Sequence, residues 1–319
     1  MLCHQMVHQN TDELSAIPSK PTPEHTPHPP HPLTHPNAAV LNGAIYLLGG
    51  LTPSSPLNPT LLTTTPTSYI YHPETNIWSA LALEIPPSLQ VAAAAIASRG
   101  NTIYLAGGLT NLNISSPSSS PSPSSSPSLS PSSSPSTSIP TSTPQQSTPV
   151  SYFTAYTSGR ELLTSLPPLP EPRYKAAHGF IGDKGLFFVI GGREDSKGQD
   201  SEGDDSKGNV RDTNFVYDFR VNMWGERKKM SRARAGMASA VVGSEVFVMG
   251  GVGDEYKGEE VLMLNEAYDV LADEWREYAP MDVPRHDTSA IAIKNRIYVP
   301  GGGISGGSST DYFSYFEVP

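Results

Sequence analysis

The chain has 319 residues, is 37% hydrophobic and carries a formal charge of −10. That acidic balance argues against a nucleic-acid scaffold, which needs a basic surface, and the single cysteine, Cys3, excludes an intramolecular disulfide framework. No apolar run reaches the ~18–20 residues that cross a bilayer. The first residues (MLCHQMVHQNTDEL) lack the apolar centre of a secretory leader. A cytoplasmic setting is therefore expected, with neither membrane nor nucleic acid as a partner.

In chain order, residues 18–36 form a Pro/His-rich stretch, expected to be an extended loop. Two short apolar runs follow, 39–41 and 45–48, joined through Asn42-Gly43 and ending on Gly49-Gly50. Tyr71 then precedes Trp78 by seven residues. Runs 92–97 and 103–105 turn near Gly100-Asn101 and end on Gly107-Gly108. Residues 113–149 are almost wholly Ser, Pro and Thr. They offer too little apolar surface to offset ordering, so disorder is expected there. Tyr156 follows, with Leu163 seven residues on where a tryptophan stands elsewhere. Runs 179–181 and 186–190 end on Gly191-Gly192, followed by an acidic stretch at 193–212 and by Tyr217 and Trp224. Runs 240–242 and 246–249 end on Gly250-Gly251, followed by Tyr268 and Trp275. Runs 291–293 and 297–299 end on Gly301-Gly302-Gly303, and one more strand is expected near 312–318.

These runs are short, rich in Val, Ile, Phe and Tyr, and joined by Gly, Asn or Asp turns. They read as β-hairpins. The first glycines of the pairs stand at 49, 107, 191, 250 and 301, intervals of 58, 84, 59 and 51 residues, and the long interval holds the Ser/Pro tract. All three tryptophans of the chain fall seven residues after a tyrosine. Two strands, a glycine pair and an aromatic pair across two further strands make a four-stranded unit, the blade of a propeller.

The order Pro-Arg, two strands, Gly-Gly, then Tyr with Trp seven on, resembles the kelch repeat, with residues 280–303 its best copy. The resemblance implies an all-β, kelch-type propeller, akin to the galactose oxidase-like central domain, spanning 1–319 as one domain. Five four-stranded blades can be counted, with six as the alternative. Residues 12–18 (DELSAIP) resemble 273–280 (DEWREYAP), so a strand within 5–17 is expected to complete the last blade and close the ring.

The glycine pairs lack phosphate-loop spacing and read as tight corners. His25, His28, His31 and His35 could chelate a metal, but the prolines between them hold the chain extended, and a solvated loop is the stronger reading. Asp200, Glu202 and Asp204 alternate without EF-hand spacing. Neither metal nor other cofactor is expected. The candidate site is a set of arginines at the blade entrances, Arg173, Arg234 and Arg285, with His286 beside the last. In kelch proteins such entrances lie by the central channel, where guanidiniums suit an acidic partner or a carboxylate. The competing reading is that each arginine pairs with a neighbouring blade.

The resemblance implies a non-catalytic protein-interaction module, an adaptor or scaffold working through loops at the channel face. The alternative is a sugar-acting kelch-like enzyme, such as a sialic-acid mutarotase, or a specifier-type protein. A copper-radical galactose oxidase needs a Tyr–Cys cross-link, and the lone Cys3 stands outside every repeat.

Overall fold

The computed structural model describes residues 27–55, 58–113, 148–160, 162–194, 210–253, 260–305 and 308–319. The expected closing strand at 5–17, the first half of the Pro/His stretch, nearly all of the Ser/Pro tract and the centre of the acidic stretch lie outside these residues.

The architecture is a five-bladed β-propeller, and no α-helix occurs among the described residues. Blade 1 contains β1 (Asn37–Leu41) and β2 (Ala44–Leu48). A hairpin of β3 (Leu51–Ser55) and β4 (Asn58–Thr64) then projects from one end, before β5 (Tyr69–His72) and β6 (Ile77–Ala80) complete the sheet β1-β2-β5-β6. A 3-10 turn at Pro87–Leu89 leads to blade 2: β7 (Ala95–Arg99), β8 (Thr102–Ala106), then β9 (Asn111–Asn113) outside the sheet, β10 (Phe153–Thr157) and β11 (Leu162–Ser165). Blade 3 is β12 (Ala177–Ile181), β13 (Leu186–Ile190), β14 (Asn214–Asp218) and β15 (Met223–Arg227). Blade 4 is β16 (Ala238–Val242), β17 (Glu245–Met249), β18 (Asn265–Asp269) and β19 (Glu274–Glu277). Blade 5 has three described strands, β20 (Ile291–Ile293), β21 (Arg296–Gly303) and β22 (Ser309–Glu317). Every pairing is antiparallel.

Each Tyr/Trp pair faces across the two outer strands of its blade. Tyr71 opposes Trp78, Tyr217 opposes Trp224 and Tyr268 opposes Trp275, with ring centroids 5.0, 5.2 and 5.5 Å apart. Leu163 takes the same place opposite Tyr156. Such aromatic pairs add about 0.5–1.5 kcal/mol beyond area burial.

The core is a series of seams between blades. Leu41, Leu48, Ile103 and Tyr156 fill the seam of blades 1 and 2. Phe153, Phe187, Phe215 and Tyr217 fill that of blades 2 and 3. Ile190, Phe188, Val246 and Tyr268 fill the next, and Phe247, Met249, Ile297 and Phe316 the one after.

The glycine pairs sit where these seams close at one end. Gly108 donates its N–H to the Arg173 carbonyl of the next blade at 2.6 Å, and Gly192 and Gly251 do the same to Arg234 and Arg285 at 2.9 Å. At Gly107, φ is +71° and a Cβ would lie 2.2 Å from the Arg173 carbonyl oxygen, so any side chain would force the blades apart.

The hairpin β3–β4 was not legible in the sequence, because its prolines and threonines resemble a loop. It pairs with β9 to form a separate three-stranded sheet on the end where the glycine pairs lie, seated through Leu51 and Leu62 on Ala92, Leu109 and Tyr174.

Candidate functional site at the channel mouth

Each inner strand is entered through the same device. Thr34, Ala92, Tyr174, Ala235 and His286 each bridge to the residue just past its own blade's glycine pair: Leu51, Leu109, Arg193, Val252 and Gly303. The next residue in every case, His35, Ala93, Lys175, Gly236 and Asp287, has φ between +49° and +66°. Four of the five are not glycine, and a non-glycine residue in this region costs of order 1–3 kcal/mol.

A chain of backbone hydrogen bonds holds them. Ala93 N–H donates to His35 at 3.1 Å, Lys175 to Ala93 at 3.0 Å, Gly236 to Lys175 at 2.9 Å and Asp287 to Gly236 at 2.8 Å. One residue from each blade thus meets its neighbours at the mouth.

The ionisable members converge across Gly236. Lys175 Nζ of blade 3 lies 2.7 Å from Asp287 Oδ2 of blade 5, with the lysine 22% and the aspartate 37% exposed. Gly236 of blade 4 leaves the space, since a Cβ there would stand 2.7 Å from Asp287 Oδ1. His286 Nδ1 is 3.2 Å from the same carboxylate. Partial burial works against the Asp287 charge, but the His286 hydrogen bond and the Lys175 charge outweigh it and hold the carboxyl well below the usual range. Burial pushes the His35 imidazole down, the Lys175 charge adds to the effect, and Asp287 offsets part of it, favouring the neutral ring. Further along the inner strand of blade 3, burial likewise lowers His178, whose backbone N–H donates to Ser239 Oγ of blade 4 at 3.0 Å.

The three arginines expected at the opening are placed differently. Arg173, Arg234 and Arg285 are 1%, 0% and 1% exposed. Arg173 bonds Glu171, Glu194 at 3.1 Å and Thr213 at 3.3 Å, and lies over the Phe215 ring. Arg234 pairs with Glu266 at 2.8 Å inside blade 4, and burial lowers its pKa against that carboxylate. Arg285 donates to the carbonyls of Val299, Tyr312 and Gly301 at 2.7, 3.0 and 3.3 Å, and to the Ser314 hydroxyl. Each guanidinium is engaged within its own blade and anchors the turn whose carbonyl receives the previous blade's glycine. Of the four predicted residues, His286 reaches the mouth cluster. His35, Lys175, Gly236 and Asp287 were missed as a set. Aligning the repeats on their arginines would have found three of them, two residues after Arg173, Arg234 and Arg285.

In the described part of the Pro/His stretch, His31 stacks on Tyr69, with Nδ1 2.5 Å from its hydroxyl. Among the described residues, no group of three His, Cys, Asp or Glu side chains is placed to hold a metal ion. No helix of the described chain is long and apolar enough to cross a membrane.

Comparison with known proteins agrees with this geometry. The Kelch motif family model matches residues 233–282, which run from the blade 4 entrance to the start of blade 5. The chain is 32% identical to the Kelch-like protein terF of Aspergillus terreus over 292 residues, 91% of this chain and 54% of that protein. It is 30% identical over 142 residues to the human Kelch repeat and BTB domain-containing protein 12, covering 42% of this chain and 22% of that one. With beta-scruin of Limulus polyphemus it shares 28% over 142 residues, 14% of that protein. The chain therefore spans about half the length of the first of these relatives and less of the others. The solved structure of YjhT superposes with a TM-score of 0.66 over 90% of this chain and 82% of that one, at 14% identity, a likeness of fold alone. Repeats, blades and relatives together identify the chain as a kelch-repeat β-propeller.

Proposed function

We propose that the chain is a non-catalytic protein-interaction module that receives a protein partner on the channel-mouth face. The observation that carries this reading is the convergence at that end of the five glycine-pair corners, the β3–β4–β9 sheet and the Lys175–Asp287–His286 cluster. A rigid ring that holds variable loops at one end suits recognition. The arginines belong to the scaffold beneath this face, and the residues two positions on are its polar centre.

The test is affinity capture from the source cell's extract with the full chain, a Lys175→Glu/Asp287→Lys double variant and an Arg220→Ala control. Arg220 lies in the β14–β15 turn at the opposite end, paired to Asp218. The expected result is a partner retained by the control and lost by the double variant. Identical partner sets from all three proteins would refute the assignment of the face.

One observation favours a sugar-acting enzyme as second reading: two groups of shifted ionisation, His35 and Asp287, share the channel mouth. Under that reading, NMR titration with monosaccharides shifts signals of the mouth residues in the wild type and not in the double variant.

A further inference from the structure

Each of the three buried arginines lies three residues after a loop position that the blades fill differently. That position is Pro170 before Arg173, Ser231 before Arg234 and Asp282 before Arg285. Blades 4 and 5 exchange two groups between this loop and the third strand of the sheet. Blade 4 has a hydroxyl on the loop and a carboxylate, Glu266, on β18. Blade 5 has a carboxylate on the loop and a hydroxyl, Ser314, at the matching place on β22. Asp282 accepts from the Tyr312 hydroxyl at 3.5 Å, and the Arg285 guanidinium lies over that same ring.

The blade 4 hydroxyl is exposed and yet coupled to a buried ion pair. Ser231 Oγ donates to Glu266 Oε1, while Glu266 Oε2 accepts from Arg234 at 2.8 Å. Arg234 Nε and Nη1 have no hydrogen-bond partner among the described residues, so the hold on this cation rests on Glu266 and, at 3.3 Å, on the Val248 carbonyl.

Ser231 also stands in a basic sequence. Arg227, Lys228 and Lys229 lie four, three and two residues before it, all exposed, and Arg232 follows. The corresponding stretches 165–172 and 277–284 hold no cation. Lys228 meets Glu274 at 3.8 Å, Lys229 meets Asp212 at 3.5 Å and Arg232 meets Glu260, all between largely exposed side chains, and such pairs separate at little cost. These cations are therefore free to enter an acidic groove, the charge pattern by which a basic-directed kinase selects its serine. The loop 228–233 belongs to no strand. Met230 anchors it, with its side chain against Gly191 and its N–H on the Asp212 carbonyl at 2.9 Å, so presenting Ser231 takes a local lift of this loop and not an opening of the blade.

We infer that Ser231 is a phosphorylation site for a kinase that selects basic residues before serine, and that the phosphate releases Glu266 from Arg234. The γ-phosphoryl group of ATP passes to Ser231 Oγ. The Oγ–P bond forms as the bond to ADP breaks, and the hydroxyl proton leaves to the kinase's base. The product carries about 1.5–2 negative charges beside a buried carboxylate. The two repel, and the phosphate turns outward to Lys229 and Arg232, its neighbours in the loop. Blade 4 then has an acid at both places, where blade 5 sets Ser314 against Asp282.

The experiment incubates the full chain with the catalytic subunit of cyclic-AMP-dependent kinase and MgATP, and locates phosphate by mass spectrometry. Phosphate is expected on Ser231, with uptake there slowed about tenfold or more by Lys228→Ala/Lys229→Ala. The same phosphopeptide is expected from chain isolated from the source cell under phosphatase inhibition. Phosphorylation is expected to lower the melting temperature by about 2–4 °C, and Glu266→Gln, which removes the repelling charge, abolishes that drop. Should Glu266→Gln fail to fold, Ser231→Ala serves instead: it keeps any phosphate on the Ser/Pro tract and loses the drop. Phosphate confined to other serines, uptake indifferent to the two lysines, or a drop that persists in Glu266→Gln or Ser231→Ala would each overturn the inference. None of these readouts depends on the channel-mouth partner.

Discussion

Blades 4 and 5 carry the same motif but are sealed differently. Blade 4 has a filled seam on both faces, and its arginine is paired with a carboxylate that is itself 5% exposed. Among the described residues blade 5 has one filled seam, and its arginine is satisfied by carbonyls and a hydroxyl. Position for position, Ser314 of blade 5 stands where blade 4 has Glu266. A repeat therefore fixes where a cation is buried, and leaves open whether charge or neutral oxygen receives it.

The largest effect that separates the two blades is loss of the arginine. Arg234→Ala strands Glu266 as an unpaired buried charge, for which about 3–5 kcal/mol of stability is expected to be lost. Arg285→Ala leaves neutral acceptors, each costing about 1–3 kcal/mol when buried without a donor, and water entry from the more open blade reduces the sum. Urea denaturation of the two variants checks the order. Equal losses would show that packing of the guanidinium stems, and not the charge, sets the cost.

A smaller contrast is expected in the seams. Phe247 is fully buried between blades 4 and 5, and its truncation to alanine is expected to cost about 3–5 kcal/mol. Phe313, 61% exposed on the far face of blade 5, is expected to cost under about 1 kcal/mol. A Phe313→Ala loss as large as that of Phe247→Ala would mean that something covers this face in solution.

How far the sequence revealed this arrangement depends on the kind of signal. The glycine pairs and Tyr/Trp pairs are legible because each is a local demand repeated at fixed spacing: a positive φ beside a carbonyl, and two rings opposed across adjacent strands. The arginines were legible as a motif but not in their role, because burial of a cation depends on Glu266, Thr213 or Tyr312, contributed by more distant strands. The mouth residues carry no signal of their own. His35, Ala93, Lys175, Gly236 and Asp287 share a backbone conformation and no chemistry, so each blade's contribution emerges only when the ring brings them together. The β3–β4 hairpin was hidden for a different reason: Pro53 and Pro59 argue against a strand, yet both lie in a small sheet outside the blades, where proline is less costly.

The smallest effect, and the one that tests the mouth itself, is its response to acid. His35 and His178 are both held below the ordinary histidine value, chiefly by burial. In the unfolded chain each ring titrates near pH 6.5. Between that pH and the lower folded value, the unfolded state binds more protons, so stability rises with pH through this window and falls on acidification. Asp287 acts in a separate, lower range. Its depressed folded pKa makes a contribution that is complete above the unfolded carboxylate value near 4 and is lost as pH falls through the folded value. At 37% exposure that contribution is screened and small. Melting temperatures from pH 7.5 to 5 are therefore expected to fall for the wild type and to fall less steeply for His178→Gln and His35→Gln. The larger relief is expected for His178, which lies deeper along the blade 3 inner strand than the half-buried His35 at the entrance. A slope unchanged by either substitution would place the acid sensitivity outside the channel.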